Sequence, residues 1–163
     1  MIKAFIYKMC PNKEELVNLK NCLENCRKLY NNLLHLENLT YALNEKFIFY
    51  YDLAKIVKNE KNLYSQIKQN VAKRLTNDLT FFLKYHKSNK KVIYPKIKDY
   101  SSYNSFTYPQ CGFNIVDDFL YLSKIGKIYL NKNEVIPANG KIKSCTIVKE
   151  SNTWYANIAV ELL

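Results

Sequence analysis

Glycine is scarce, with three residues in a chain of 163, and no Gly-rich loop that could cradle a nucleotide phosphate is present. No nucleophile-elbow motif occurs either. The five cysteines, Cys10, Cys22, Cys26, Cys111 and Cys145, are odd in number and include no Cys-x-x-Cys pair, which argues against a zinc ribbon or a full disulfide framework. Cys22 and Cys26 lie one helical turn apart, but His35 and His86 are distant in sequence. The thiols are therefore expected to act as small buried hydrophobes, and no metal or other cofactor is expected. No apolar run approaches the ~20 residues that span a bilayer. Met1-Ile2-Lys3-Ala4-Phe5 has no signal-peptide pattern, so the expectation is a cytoplasmic protein with no membrane partner.

Positive charge and tyrosine are abundant. Lys and Arg outnumber Asp and Glu by 25 to 14, a formal charge of +11, and 14 tyrosines supply most of the aromatic residues. Lysine-rich composition can inflate such an excess, but a field of this sign also attracts a polyanion more than a neutral metabolite. At 163 residues the chain is long enough for one ordinary domain or two small intertwined ones, and a hydrophobic share of 48% argues against disorder of the whole chain.

Residues 2 to 9 are rich in β-formers and stop at Cys10-Pro11-Asn12, which predicts a strand and a turn. Asn12 can cap a helix whose first turn carries Glu14 and Glu15. Leu16, Leu19, Leu23, Cys26, Tyr30 and Leu33 then repeat at spacings of three and four, predicting one amphipathic helix to about Leu43. A short helical turn is expected over Asp52–Lys58. From Asn62 a second long helix places Leu63, Ile67, Val71, Leu75, Leu79 and Phe82 on one stripe and leaves Gln66, Gln69, Asn70, Lys73 and Arg74 toward solvent.

A basic linker follows over residues 84–99, where Lys84, Lys87, Lys90, Lys91, Lys96 and Lys98 surround Tyr94, with Tyr100 and Tyr103 just beyond. Such interleaving offers base-stacking surfaces beside phosphate contacts. Beyond Ser105 the helical period is gone, and short apolar runs predict strands over Phe113–Val116, Phe119–Leu122, Gly126–Leu130, Ile142–Val148 and Trp154–Leu162. Asp117-Asp118 and Glu150-Ser151-Asn152 read as hairpin turns. In the last run Trp154, Ala156, Ile158, Val160 and Leu162 alternate with Tyr155, Asn157, Ala159 and Glu161. A lone first strand leaves its backbone unsatisfied, so it must pair with the late strands. The expected class is α+β: a small antiparallel β-barrel or sheet with a helical bundle inserted.

An ordered series of short motifs resembles the opening of the TnpB/OrfB family of transposon-encoded RNA-guided nucleases. Phe5-Ile6-Tyr7 with Pro11-Asn12-Lys13-Glu14, and Cys26-Arg27-Lys28-Leu29-Tyr30-Asn31, are followed by Tyr50-Tyr51-Asp52-Leu53, Ser65-Gln66 with Gln69-Asn70, and Lys73-Arg74-Leu75. Tyr94-Pro95-Lys96-Ile97-Lys98, Ser105-Phe106-Thr107-Tyr108-Pro109, Leu122-Ser123-Lys124-Ile125-Gly126, Ile136-Pro137, Gly140-Lys141-Ile142-Lys143-Ser144 and Trp154-Tyr155-Ala156 complete it. The chain departs from the family pattern at Val92-Ile93, at Ser123 and at Ala138-Asn139.

The resemblance implies a wedge (WED), OB-like β-barrel from residues 1–10 and 100–163, with a recognition (REC) helical domain inserted over 11–99. It implies that a duplex DNA motif is read by Tyr50, Ser65, Gln69, Asn70, Thr107 and Tyr108. Gln and Asn suit adenine and the Thr methyl suits thymine, so an A/T-rich motif is expected. Lys73, Arg74, Lys90, Lys91, Lys96 and Lys98 are expected to hold the phosphates of DNA or of a guide RNA–DNA duplex. Family members continue into a RuvC nuclease domain. The chain ends at Leu163 and its later carboxylates, Asp99, Asp117, Asp118, Glu134, Glu150 and Glu161, are scattered, so the expectation is nucleic-acid binding without catalysis. A RuvC-containing part or a second copy of the chain is a further expected partner. The alternatives are a stand-alone transposon-derived DNA/RNA-binding regulator and a protein-interaction domain.

Overall fold

The computed structural model describes residues 1–163. Strand β1 (Ile2–Cys10) leads into α1 (Lys13–Asn44). The entry is a complete capping box: the Asn12 side chain accepts from Glu15 N, and the Glu15 carboxylate accepts from Asn12 N, both at 2.8 Å. Helix α2 (Tyr50–Ile56) runs into a 3-10 turn at Val57–Asn59, and α3 spans Ser65–Tyr85. That helix starts three residues later than its apolar stripe suggests. The Glu60 carboxylate takes the backbone N–H groups of Asn62 and Leu63, at 2.7 and 2.8 Å, and holds them in a turn. Six strands follow: β2 (Ser105–Tyr108), β3 (Phe113–Val116), β4 (Phe119–Leu122), β5 (Gly126–Asn131), β6 (Lys141–Glu150) and β7 (Thr153–Glu161). Strand β2 is short and ended by Pro109, so no period-2 run announces it.

The α+β class holds, and all neighbouring strands are antiparallel in one sheet ordered β2-β6-β7-β1-β5-β4-β3. The first strand does pair with the late ones, and on both edges. Ile2–Lys8 lie against β7, and Lys8–Cys10 lie against β5. The turns β3–β4 and β6–β7 place Asp117 and Ser151 at φ 52° and 54°.

The expected barrel is left open. Its two edges, β2 and β3, are consecutive in the chain and share no ladder, although the Tyr108 and Phe113 rings approach to 6.2 Å across the corner. At that corner Pro109 has no N–H, and the N–H groups of Gln110 and Cys111 both donate to Gln66 Oε1 on α3, each at 3.1 Å. A helix side chain takes the donors that would extend the β2 edge.

The inward face of every strand and the apolar stripes of the helices share one core. Phe5, Tyr7 and Met9 of β1 and Trp154, Ala156, Ile158 and Val160 of β7 meet Leu19, Cys26 and Tyr30 of α1 and Ile67, Val71 and Leu75 of α3 in one cluster. The cysteines divide. Cys26 and Cys145 are buried, as expected of small hydrophobes, and burial pushes both thiols up; Cys22 is half-buried, whereas Cys10 and Cys111 are exposed, and all five are free. No helix is long and apolar enough to cross a membrane.

Candidate nucleic-acid interface

Helix α3 carries two polar stripes side by side, and they do different things. Gln66, Asn70 and Arg74 recur every four residues and face the sheet. Gln66 holds the corner after β2. Arg74 donates to Asn70 Oδ1 at 3.1 Å, to the Ser105 carbonyl at 2.8 Å and to Thr107 Oγ1 at 2.9 Å, and lies over the Tyr103 ring at 5.7 Å. Thr107 Oγ1 lies 2.9 Å from Thr146 Oγ1 on β6. Asn70, Arg74 and Thr107 thus converge, but as a fork–strand clamp between α3 and β2.

One position along, Ser65, Gln69 and Lys73 form the neighbouring stripe. Ser65 and Lys73 are exposed and Gln69 is half-buried. Lys73 Nζ sits 4.8 Å from the centre of the Tyr50 ring, so α2 and α3 join this face. Beside Tyr50, Phe49 and Tyr51 are 80% and 79% exposed. Their signal in the sequence is the dense aromatic run Phe47-Ile48-Phe49-Tyr50-Tyr51, which falls between two helices with no periodicity of its own.

Two expected contacts need correction. Tyr108 has no exposed surface, and its hydroxyl donates to the Ser123 carbonyl at 2.8 Å; packing in a sheet core puts it out of reach of a base edge. The Arg74 guanidinium is held by its three partners, so it is a clamp before it is a phosphate contact.

The basic segment does not hang free as a linker. Arg27 Nη1 and Asn31 Nδ2 on α1 both donate to the Lys98 carbonyl at 2.9 Å, and the Lys98 N–H donates to Asn31 Oδ1 at 2.8 Å. Farther along, the Tyr94 hydroxyl donates to Asn38 Oδ1 at 2.6 Å, and its ring meets Phe82 edge-on at 5.3 Å. Residues 94–98 are thereby tied along α1. Lys90, Lys91 and Lys96 remain exposed, and Lys98 Nζ lies 5.5 Å from the Tyr30 ring. The Cys26–Asn31 motif divides its work: Cys26 and Tyr30 face the core, with Tyr30 donating to Asp78 on α3 at 2.6 Å, while Arg27 and Asn31 hold the basic segment.

Four of the six late carboxylates meet lysines or their own turns. Glu161 pairs with Lys143 at 3.1 Å, Asp118 with Lys132 at 3.9 Å, and Glu134 with Lys3; Asp99 accepts from Ser101 and Ser102, which holds its carboxyl below the usual range. No three or more His, Cys, Asp or Glu residues come together to hold a metal. What the exposed face can do chemically is hold a polyanion and offer amides and rings to bases.

Comparison with known proteins bears on that face. Residues 1–46 match the helix-turn-helix domain of the OrfB/IS605 family. Over 166 aligned residues, covering 98% of the chain, it is 23% identical to InsQ of Escherichia coli (strain K12), a proposed RNA-guided DNA endonuclease. The chain is homologous to a TnpB-type protein. It spans about 40% of the length of InsQ. In the region that matches the OrfB/IS605 domain, the fold here is β1 followed by the single helix α1, with no turn between two helices. A helix-turn-helix reader places a second helix in the major groove; α1 has buried residues from Leu19 to Glu37, and the exposed polar stripe belongs to α3.

Proposed function

We propose that the chain is the target-recognition part of a TnpB-type, RNA-guided transposon nuclease, binding nucleic acid and leaving cleavage to a RuvC-containing part. In this reading residues 1–10 and 100–163 are the WED-like unit and 11–99 the REC-like unit. Tyr50, Ser65 and Gln69 read a short A/T-rich duplex motif, with Asn70 and Thr107 behind them. Lys73 holds a phosphate beside the motif. Lys90, Lys91, Lys96 and Lys98 add sequence-independent affinity for guide RNA or its duplex with DNA.

The observation that carries the reading is the stripe of α3 on which Gln69 and Lys73 stand, next to the Tyr50 ring and with no hydrogen-bond partner inside the chain for either side chain. A Gln amide can donate to N7 and accept from N6 of adenine in the major groove. Lysine supplies the phosphate contact that fixes register. Homology to InsQ supports a nucleic acid as the ligand.

The test is a binding assay with A/T-rich and G/C-rich duplexes. Gln69→Ala is expected to shrink the preference for the A/T-rich duplex roughly 10-fold, the scale of one bidentate base contact. Lys73→Ala is expected to weaken both duplexes alike. A preference unchanged in Gln69→Ala would remove the assignment.

A further inference from the structure

A second candidate site lies away from the α3 stripe. A cleft of about 620 Å³ opens between the N-terminal half of α1, the turn at residues 99–102 and the β6–β7 turn. Its size is that of a small-ligand pocket, of order 300–1,000 Å³. Its apolar lining is Leu23, Tyr103 and Trp154, the latter two 6% and 2% exposed, and its rim carries Lys20 and Lys149. Tyr100, which also lines it, is 77% exposed and has the Arg27 guanidinium 4.4 Å from its ring centre.

Tyr100 is held as a platform. The turn beneath it is closed by Asp99, whose Oδ1 accepts from the backbone N–H groups of Ser101 and Ser102 at 3.0 and 2.9 Å. On one side the chain is tied to α1 through Lys98, and on the other Lys149 N donates to the Asn104 carbonyl at 2.8 Å. Arg27 is itself fixed by a bidentate contact to Glu24, at 2.6 and 2.8 Å, so the pair brings little net charge, and the uncompensated rim cations are Lys20 and Lys149. Glu150 also faces the cleft and disfavours a dense polyanion such as a duplex backbone. An exposed ring backed by a cation, an apolar floor, two rim lysines and the amides of Asn21 and Asn104 together match a base, its sugar and one phosphate.

We infer that this cleft takes one unstacked nucleotide of a single-stranded nucleic acid, its base stacked on Tyr100 and its phosphate held by Lys20 and Lys149. The inference rests on the nucleic-acid reading above but uses none of the residues assigned to the duplex motif. A ribose and a deoxyribose strand share the chemistry; a 2′-hydroxyl contact would favour RNA.

Trp154, the sole tryptophan, lines the cleft and serves as the reporter. Oligo-U and oligo-dT of about 10 nucleotides, and an A/T-rich duplex, are titrated into the protein while tryptophan fluorescence is read. A single strand is expected to quench Trp154. Tyr100→Ala is expected to weaken that binding roughly 10-fold, the scale of one lost base–aromatic stack, with Tyr100→Phe close to the parent and Lys149→Ala weaker and less salt-sensitive. Duplex affinity should stay unchanged in all three. Oligo-U alone binding assigns the site to RNA, and both binding assigns it to the shared base-and-phosphate chemistry. Single-strand affinity indifferent to Tyr100→Ala and Lys149→Ala, while Lys73→Ala still weakens the duplex, would overturn the cleft and leave the duplex reading standing. Failure of every nucleic acid to bind would remove both.

Discussion

Two side chains separate structural duty from surface chemistry at the residue scale. Arg74 bridges Asn70, Ser105 and Thr107, and its planar fork matches three acceptors that a lysine ammonium could not reach together. Arg74→Met removes all three of these hydrogen bonds and is expected to lower stability by about 2 kcal/mol. Arg74→Lys should recover only part of that, both read from urea unfolding; full recovery by lysine would return Arg74 to the role of a plain cation. Glu37 is the one buried charged residue. Its Oε2 accepts from Ile48 N at 2.8 Å and its Oε1 has no partner. Burial raises its carboxyl above the ordinary range, against the smaller lowering effect of the Ile48 N–H. The folded state therefore binds this proton more tightly than the unfolded chain, and stability from this group falls as pH rises from the unfolded value through the raised one. Glu37→Gln is expected to flatten the dependence of Tm on pH across that window; an unchanged slope would assign it to other groups.

Helix α1 acts at the scale of an element by presenting two faces one residue apart. Cys26 and Tyr30 pack inward, and Arg27 and Asn31 grip the backbone at Lys98. Tyr94 adds a second tie at Asn38. This converts a Lys-rich stretch, whose composition reads as a loose linker, into a strap tied at two points. Arg27→Ala combined with Asn31→Ala is expected to raise amide exchange at Lys98 by an order of magnitude or more, since about 1.4 kcal/mol is a factor of ten in local opening. Exchange across β6 and β7 should not change. Equal protection at Lys98 in the double variant would show that Tyr94 alone holds the strap.

Charge and topology decide behaviour at the scale of the whole molecule. A net charge of +11 draws in polyanions, but it is the placement of lysines that sets how many phosphates are neutralised at once. If Lys73, Lys90, Lys91 and Lys96 each meet one phosphate, duplex affinity is expected to fall about 100-fold between about 50 and about 200 mM salt. A flat response would reject a phosphate-dominated interface.

The strand–helices–strands order, the helix cap at Asn12 and the two faces of β7 were legible because each follows from a local period or a local hydrogen bond. Gln66, Gln69, Asn70, Lys73 and Arg74 were legible as a polar helix face, since α-helical spacing alone puts polar residues opposite an apolar row. Which of those residues stay available was not. Gln66, Asn70 and Arg74 look the same in the sequence as Gln69 and Lys73, and only the docking of α3 on β2 assigns the first three to the clamp and leaves the others to solvent. Tyr100, Tyr103 and Tyr108 likewise share one stretch, yet the first is a surface platform and the other two are core. Local periodicity determined the elements and their apolar faces, because it depends on neighbours a few residues away. The open corner of the sheet, the strap on α1 and the cleft at Tyr100 depend on side chains meeting partners tens of residues distant, and only the tertiary structure decides those meetings.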